Sequence, residues 1–210
     1  MVDFQSRDRQ TRGRDDEDED PSGADPSADP DSDDDDSTTR STDDETGAPT
    51  PSTGVAVVTI ADDRTVDTDS VGDAVVEALD GHDLVTRELL GRSHDSVQAA
   101  VDALVKRSDV DAVVTVGGTG VGSRDVTIEA VHPLFEKALP GFGELFRRRS
   151  EAEIGTRIVA TRATAGIAGG VPVFCLPGSE SAVRLGVEEV VFPEMGHLVD
   201  LAVRDRTDEE

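Results

Sequence analysis

The residues best suited to chemistry are four glycines within six positions, Gly117, Gly118, Gly120 and Gly122. Thr119 and Val121 stand between them, and Ser123, Arg124 and Asp125 follow directly. Glycines at this density let a backbone turn tightly and bring its amides up to a ligand with no Cβ in the way. Amides gathered in such a loop, ahead of a helix, bind anions, most often phosphate. Two common phosphate motifs do not fit. Gly117 and Gly122 have the Walker A spacing, yet Ser123 and Arg124 stand where Lys and Ser/Thr are required. Gly118 and Gly120 start a dinucleotide fingerprint, but Ser123 replaces its third glycine. A tight βα turn without a ligand also uses glycine. An arginine and an aspartate immediately behind the glycines favour an anion site. Asp125 then reads as a carboxylate linked to Mg²⁺ or as a general base, against the plainer role of a helix-start residue.

A second loop, Pro177-Gly178-Ser179, also precedes an apolar helical pattern and also offers helix-start amides. Ser179 serves there as an N-cap, as a ligand contact, or as both. The chain has no G-x-S-x-G elbow, which argues against Ser179 as a nucleophile. Asp95, with Gln98 three residues on, makes a capping-box pattern and lies on the same expected sheet edge. Asp62 and Asp63 follow the first expected strand. Carboxylates drawn around a phosphate normally need a divalent cation, usually Mg²⁺. His82, His94, His132 and His197 include no pair at the i, i+4 zinc spacing. Arg147, Arg148 and Arg149 read equally as an anion anchor or a solvated helix face.

These loops must be held by strands and helices. The runs at 54–60, 113–116 and 171–176 are continuous, apolar and rich in β-branched residues, as buried parallel strands are. A more polar strand is expected at 83–90. Helical spacing predicts one helix carrying Val71, Ala74, Val75 and Leu79, and another carrying Val97, Ala100, Val101 and Leu104. A third helix is expected from about Thr127, with Thr127 as N-cap and Val131, Leu134, Phe135, Ala138 and Leu139 on one face. Pro140–Gly143 then breaks the chain before a short basic helix at Glu144–Ser150. Arg157–Ala163 is expected as a strand, and Gly166, Gly169 and Gly170 as a loop. A helix follows Ser179 to about Val191, and a short one spans Met195–Val203. Repeated βα units predict an α/β fold of three layers, α/β/α, with a mostly parallel sheet. Ligands in such sheets sit beyond the carboxyl ends of the strands.

Composition sets the outer bounds. The chain of 210 residues carries 46 acidic and 20 basic residues, a net charge of −26, and only Lys106 and Lys137 are lysines. Nucleic acid is disfavoured as a partner, because phosphate backbones select basic clusters. Scarce lysine and abundant carboxylate predict a halophilic protein, soluble where salt screens the repulsion. Residues 1–53 hold 18 acids against 5 arginines, half of the net charge, and few apolar residues. Such a segment is expected to form a disordered acidic tail. The folded domain is then 54–203, with a polar tail at 204–210. The single cysteine, Cys175, lies in an apolar run and reads as a buried structural thiol. No stretch approaches the ~20 apolar residues of a membrane span, and no apolar core of a signal peptide opens the chain, so a cytoplasmic protein is expected.

The run from Gly117 to Ser150, GGTGVGSRDVTIEAVHPLFEKALPGFGELFRRRS, resembles the molybdenum-cofactor biosynthesis proteins of the MoaB/MogA type. EIGTR at Glu153–Arg157, Arg162, Ala165-Gly166, LPGS at Leu176–Ser179 and FPEMGHLV at Phe192–Val199 agree with it, so the likeness covers about 54–203. The resemblance implies a three-layer molybdopterin-binding domain that assembles as a homo-oligomer, a trimer or hexamer. It implies molybdopterin and ATP as ligands, AMP transfer from Mg-ATP to the pterin phosphate, and release of pyrophosphate. It places phosphate at Gly117, Gly118, Thr119 and Gly120, with Arg124, Gly178 and Ser179 beside it. It makes Asp125 one catalytic carboxylate and Asp95, the nearest match in an altered loop, the second, with Mg²⁺ near both. Asp62 matches the family's Ser-Asp position in part, with Ala61 before it. A non-catalytic member that binds molybdopterin or scaffolds other proteins of the cofactor pathway is the alternative. A metal-insertion protein ranks last, since such proteins carry further domains.

Overall fold

Three apolar strands, β1 (Gly54–Ile60), β3 (Ala112–Val116) and β6 (Val171–Leu176), are buried along their whole lengths. They lie side by side at the centre of the sheet, as unbroken Val/Ile/Leu runs do. β2 (Asp83–Leu90) carries Asp, Thr, Arg and Glu and is only half-buried, so it forms one edge. The computed structural model describes residues 52–79 and 81–207, so the expected acidic tail lies outside the described residues except for Ser52 and Thr53. Among them the sheet order is β2-β1-β3-β6-β5-β4, with β2, β1, β3 and β6 mutually parallel.

Side chains alternate along each strand, and the alternation sorts them into two cores. Val55, Val57, Val114, Val116, Phe174 and Leu176 face one way. They meet α1 (Ser70–Glu77), α4 (Pro140–Ile154), α5 (Glu180–Gly186) and α6 (Phe192–Thr207). Ala56, Val58, Ile60, Val113, Val173 and Cys175 face the other way, against α2 (His94–Leu104) and α3 (Thr127–Val131). The result is the expected three-layer α/β/α fold. Cys175 is fully buried, and burial pushes its thiol up to about 12, which fits a structural role.

Several expectations about elements are corrected. α3 is five residues long, because Pro133 has no amide hydrogen to give and clashes with the preceding turn. After a 3₁₀ turn at His132–Leu134 the chain forms an edge strand, β4 (Lys137–Ala138). Pro140 opens α4 instead of breaking the chain, as proline at a first helical position does, and Gly155 with φ 57° ends it. Residues 157–163 are no strand: a 3₁₀ segment covers Gly155–Ala160, and the strand β5 is Thr164–Ala168, antiparallel to both β6 and β4. Gly166 sits inside β5, where the Phe135 ring packs so closely that any Cβ would lie 2.4 Å from it. Finally, α5 continues through a π turn (Val187–Val191) into α6, near Pro193, which returns no amide to the preceding turn. α6 runs to Thr207, so part of the expected polar tail is helical.

Candidate functional site

The parallel strands β1, β2, β3 and β6 end on one edge, and their four loops converge there. Gly117 and Gly118 leave β3 with φ of 99° and 63°, left-handed values that favour glycine. A Cβ on Gly117 would lie 2.4 Å from the Ile60 carbonyl oxygen. The Gly117 amide donates to the Leu176 carbonyl (3.0 Å), which ties the glycine loop to the end of β6. Thr127 is not an N-cap. It is buried, and its hydroxyl donates to the Gly117 carbonyl (2.7 Å) while its amide donates to the Gly118 carbonyl (3.0 Å). The helix start thus folds the loop back on itself, and Val126 holds the capping position.

Asp125 is the inner carboxylate of this loop. Its Oδ2 accepts from the Gly122 amide (3.0 Å) and its Oδ1 from Arg92 Nη1 (3.1 Å), and the side chain is 17% exposed. Gly120 lies so close that a Cβ there would stand 2.5 Å from Asp125 Oδ2. Arg162 holds the far side of the loop, donating from Nε to the carbonyls of Gly120 (2.9 Å) and Thr119 (3.2 Å). Its guanidinium also grips Glu129, and that hydrogen bond holds the Glu129 carboxyl below the usual carboxylate range.

A cleft of about 400 Å³ opens between these loops. It gathers Gly117, Gly118, Thr119, Gly120, Asp125, Gly178 and Ser179, seven of the residues expected there. Ser179 occupies the N-cap position of α5, yet its hydroxyl makes no capping hydrogen bond. Three expected residues are not on the lining. Asp62 and Arg124 pair with each other (3.1 Å), and Asp62 also accepts from the Arg92 amide (2.9 Å). Asp62 thereby braces the β2–α2 loop, and Arg124 stays 73% exposed. Asp95 is turned fully to solvent and accepts from His94 Nδ1 (3.0 Å). Ser93, not Asp95, caps α2. Asp95 lies two positions before the buried Val97, which puts it on the opposite helix face. The structure therefore places Asp125 on the cleft lining and Asp95 off it. Arg147, Arg148 and Arg149 also stay off the lining.

Two arginines that sequence reasoning did not select stand in the cleft instead. Arg64 follows β1, reaches the Gly178 carbonyl (3.4 Å) and lies 3.6 Å from Asp69. Arg92 follows β2 and holds Asp125. Their signal was available: each sits within a few residues of the carboxyl end of a strand in a chain with few bases. Asp69 is fully buried beneath Arg64. Burial pushes its carboxyl up, but donation from Thr59 (2.7 Å), Arg87 (2.9 Å) and the Gly72 amide (3.1 Å) outweighs this and holds it below the ordinary value. With Asp63 and Asp125 on the lining, the cleft carries two carboxylates and two guanidiniums. Among the described residues no three His, Cys, Asp or Glu side chains cluster as a metal site.

Residues 52–197 match the family model described as "Probable molybdopterin binding domain". The chain belongs to the MoaB/MogA family. It is 42% identical over 153 residues to molybdenum cofactor biosynthesis protein B of Bacillus subtilis, covering 71% of this chain and 90% of that one. The Bacillus anthracis protein of the same name is 46% identical over 145 residues, 68% of this chain and 86% of its own. A crystal structure of a molybdenum cofactor biosynthesis protein B superposes with a TM-score of 0.72 at 43% identity, over 75% of this chain and 99% of that one. The tungsten cofactor synthesizing protein MoaB of Pyrococcus furiosus gives 0.66 at 38%, over 72% and 98%. The family domain ends within α6, so the described core is nearly all family fold. No helix among the described residues is long and apolar enough to cross a membrane.

Proposed function

We propose that this protein works in molybdenum or tungsten cofactor biosynthesis by binding molybdopterin in the cleft and transferring AMP from Mg-ATP to its phosphate. The carrying observation is the convergence of the Gly117–Gly120 backbone, Asp125 and the Gly178–Ser179 loop on one cleft, in a chain of the molybdopterin-binding family. An oxygen of the pterin phosphate bonds to the α-phosphorus of ATP. The bond from that phosphorus to the β-phosphate oxygen breaks, and pyrophosphate leaves. Such a transfer needs alignment and charge neutralisation more than covalent help from the protein. Loop amides orient one phosphate, and the Gly178–Ser179 loop packs beside them against Gly117. Asp125, fixed by the Gly122 amide and Arg92, positions the incoming nucleotide. Mg²⁺ enters as part of the substrate Mg-ATP.

Incubation with molybdopterin and Mg-ATP, followed by chromatography of the pterin and a pyrophosphate assay, tests this reading. Adenylylated pterin with one pyrophosphate per transfer is the expected result. One observation favours the second reading, a binding or scaffolding member: Asp95 is outside the cleft, which leaves Asp125 without its expected partner. Molybdopterin binding with no adenylylation and no pyrophosphate would establish that alternative. A trimeric or hexameric assembly in the cytoplasm belongs to the same proposal, and light scattering of the purified chain measures the assembly.

A further inference from the structure

The guanidinium of Arg92 is under-used for a group in its position. Arginine presents five N–H donors and no acceptor. Among the described residues Arg92 makes one side-chain hydrogen bond, from Nη1 to Asp125. Its Nε is buried without a partner, and no described group accepts from Nη2. The unused atoms, Nε and Nη2, form one edge of the planar fork, the edge that grips two oxygens of a single acid group. The same protein shows that edge in use at Arg107, whose Nε and Nη2 hold Asp109 at 2.9 and 2.7 Å. Arg92 is held in place from two sides, by Asp62 on its amide and by Asp125 on Nη1. It also lines the cleft beside the glycine loop. An arginine braced this way, with its bidentate edge unmatched on the lining of the cleft, is half of a recognition pair.

We infer that Arg92 is a phosphate-binding residue that grips one phosphate group of a polyphosphate ligand through Nε and Nη2, while its Nη1 keeps Asp125 in place. The inference deepens the proposed reading, on which the ligand is the triphosphate of ATP. It makes Arg92 a cationic clamp on the leaving side of the transfer, in a loop where a second carboxylate was expected. Part of the triphosphate charge is then neutralised by the protein itself, so binding of a polyphosphate does not require Mg²⁺.

Calorimetric titration of the full chain with inorganic triphosphate in EDTA, at one fixed salt concentration, is the test. Wild type binds, and Arg92→Lys and Arg92→Gln weaken the affinity about tenfold or more, because Lys keeps the charge but lacks the fork. Asp95→Asn, whose side chain lies off the cleft, binds as wild type does. No binding by wild type, or Arg92→Lys within twofold of wild type, overturns the inference. Equal weakening by Asp95→Asn and Arg92→Gln overturns it too, because the loss would then not be specific to the fork. Circular dichroism melts of each variant identify any that fail to fold, and Arg92→Lys, the mildest change, carries the decision. The adenylylation assay reads separately. Triphosphate held through Arg92 with no AMP transfer keeps the clamp and removes the transferase reading; AMP transfer with Arg92→Lys binding unchanged does the reverse.

Discussion

The loops after β3 and after β2 stand on one sheet edge and were expected to supply one carboxylate each. The first does so and the second does not. After β3, every glycine is tied to a neighbour. Gly117 and Gly118 take left-handed φ, Gly120 makes room for Asp125, and Thr127 closes the loop through its hydroxyl. Asp125 follows from that geometry and has few other places to go. The loop after β2 is short, Gly91 to Ser93, before α2 begins. What it presents depends on which residue falls at the strand end and which falls on the first helical turn. Arg92 falls at the strand end and enters the cleft, while Asp95 falls on the turn, opposite the buried Val97. A loop shaped by its own backbone requirements announces its site. A loop whose content is set by the register of a helix does not.

The widest gap between the two loops is catalytic. Asp125→Asn is expected to keep molybdopterin binding and lower AMP transfer by at least about 100-fold, the scale of losing a positioned charge at the reacting group. Pyrophosphate release in single turnovers measures it, and full activity in the variant would remove Asp125 from its role. The next contrast is structural. Gly117→Ala puts a Cβ against the Ile60 carbonyl at a φ of 99°, and is expected to cost about 1–3 kcal/mol in thermal unfolding. Thr127→Val removes a buried donor from the Gly117 carbonyl and should cost about 1–2 kcal/mol by the same measurement.

Acid stability sharpens the comparison beneath the cleft. Asp69 is held below its ordinary pKa, so the unfolded chain takes up its proton first. Its contribution is present above the unfolded value, near pH 4, and is lost as pH falls through the lower folded one. Asp69→Asn is therefore less stable at neutral pH, and its further loss on acidification is shallower; urea midpoints from pH 7 downward test both statements. The smallest effect belongs to Asp95. Asp95→Asn should leave AMP transfer within about twofold, since the side chain is wholly exposed and off the cleft. It should also move the His94 pKa down, because the hydrogen bond from His94 to Asp95 is the main cause of its rise. NMR titration of the His94 ring reads that shift directly, and a large fall in transfer would restore Asp95 to the site.

Much of the site was legible because it is made of backbone. Seven expected residues line the cleft, and all of them belong to the two tight loops. The misses share a cause. Arg124 and Asp62 satisfy each other across two loops, and Arg64 and Arg92 enter from loops whose ligand role no local pattern marks. The periodicity of α2 did place Asp95 opposite Val97, so that correction was available from helical spacing alone. The chain between Phe135 and Thr164 was less legible. Pro140 acts according to its place at the start of a helix, and the Phe135 ring packs against Gly166 of β5 too closely for any side chain there.

The sequence by itself determined the three central strands, the two cores and the glycine loop. Apolar runs, alternation and left-handed glycine are properties of residues and their near neighbours, and they hold whatever the rest of the chain does. The tertiary structure alone decided the reversed strand β5, the bond from Thr127 to Gly117, and the bond by which Arg92 holds Asp125 in the cleft. Each of these depends on contacts between different elements, whose relative placement is set only when the layers pack.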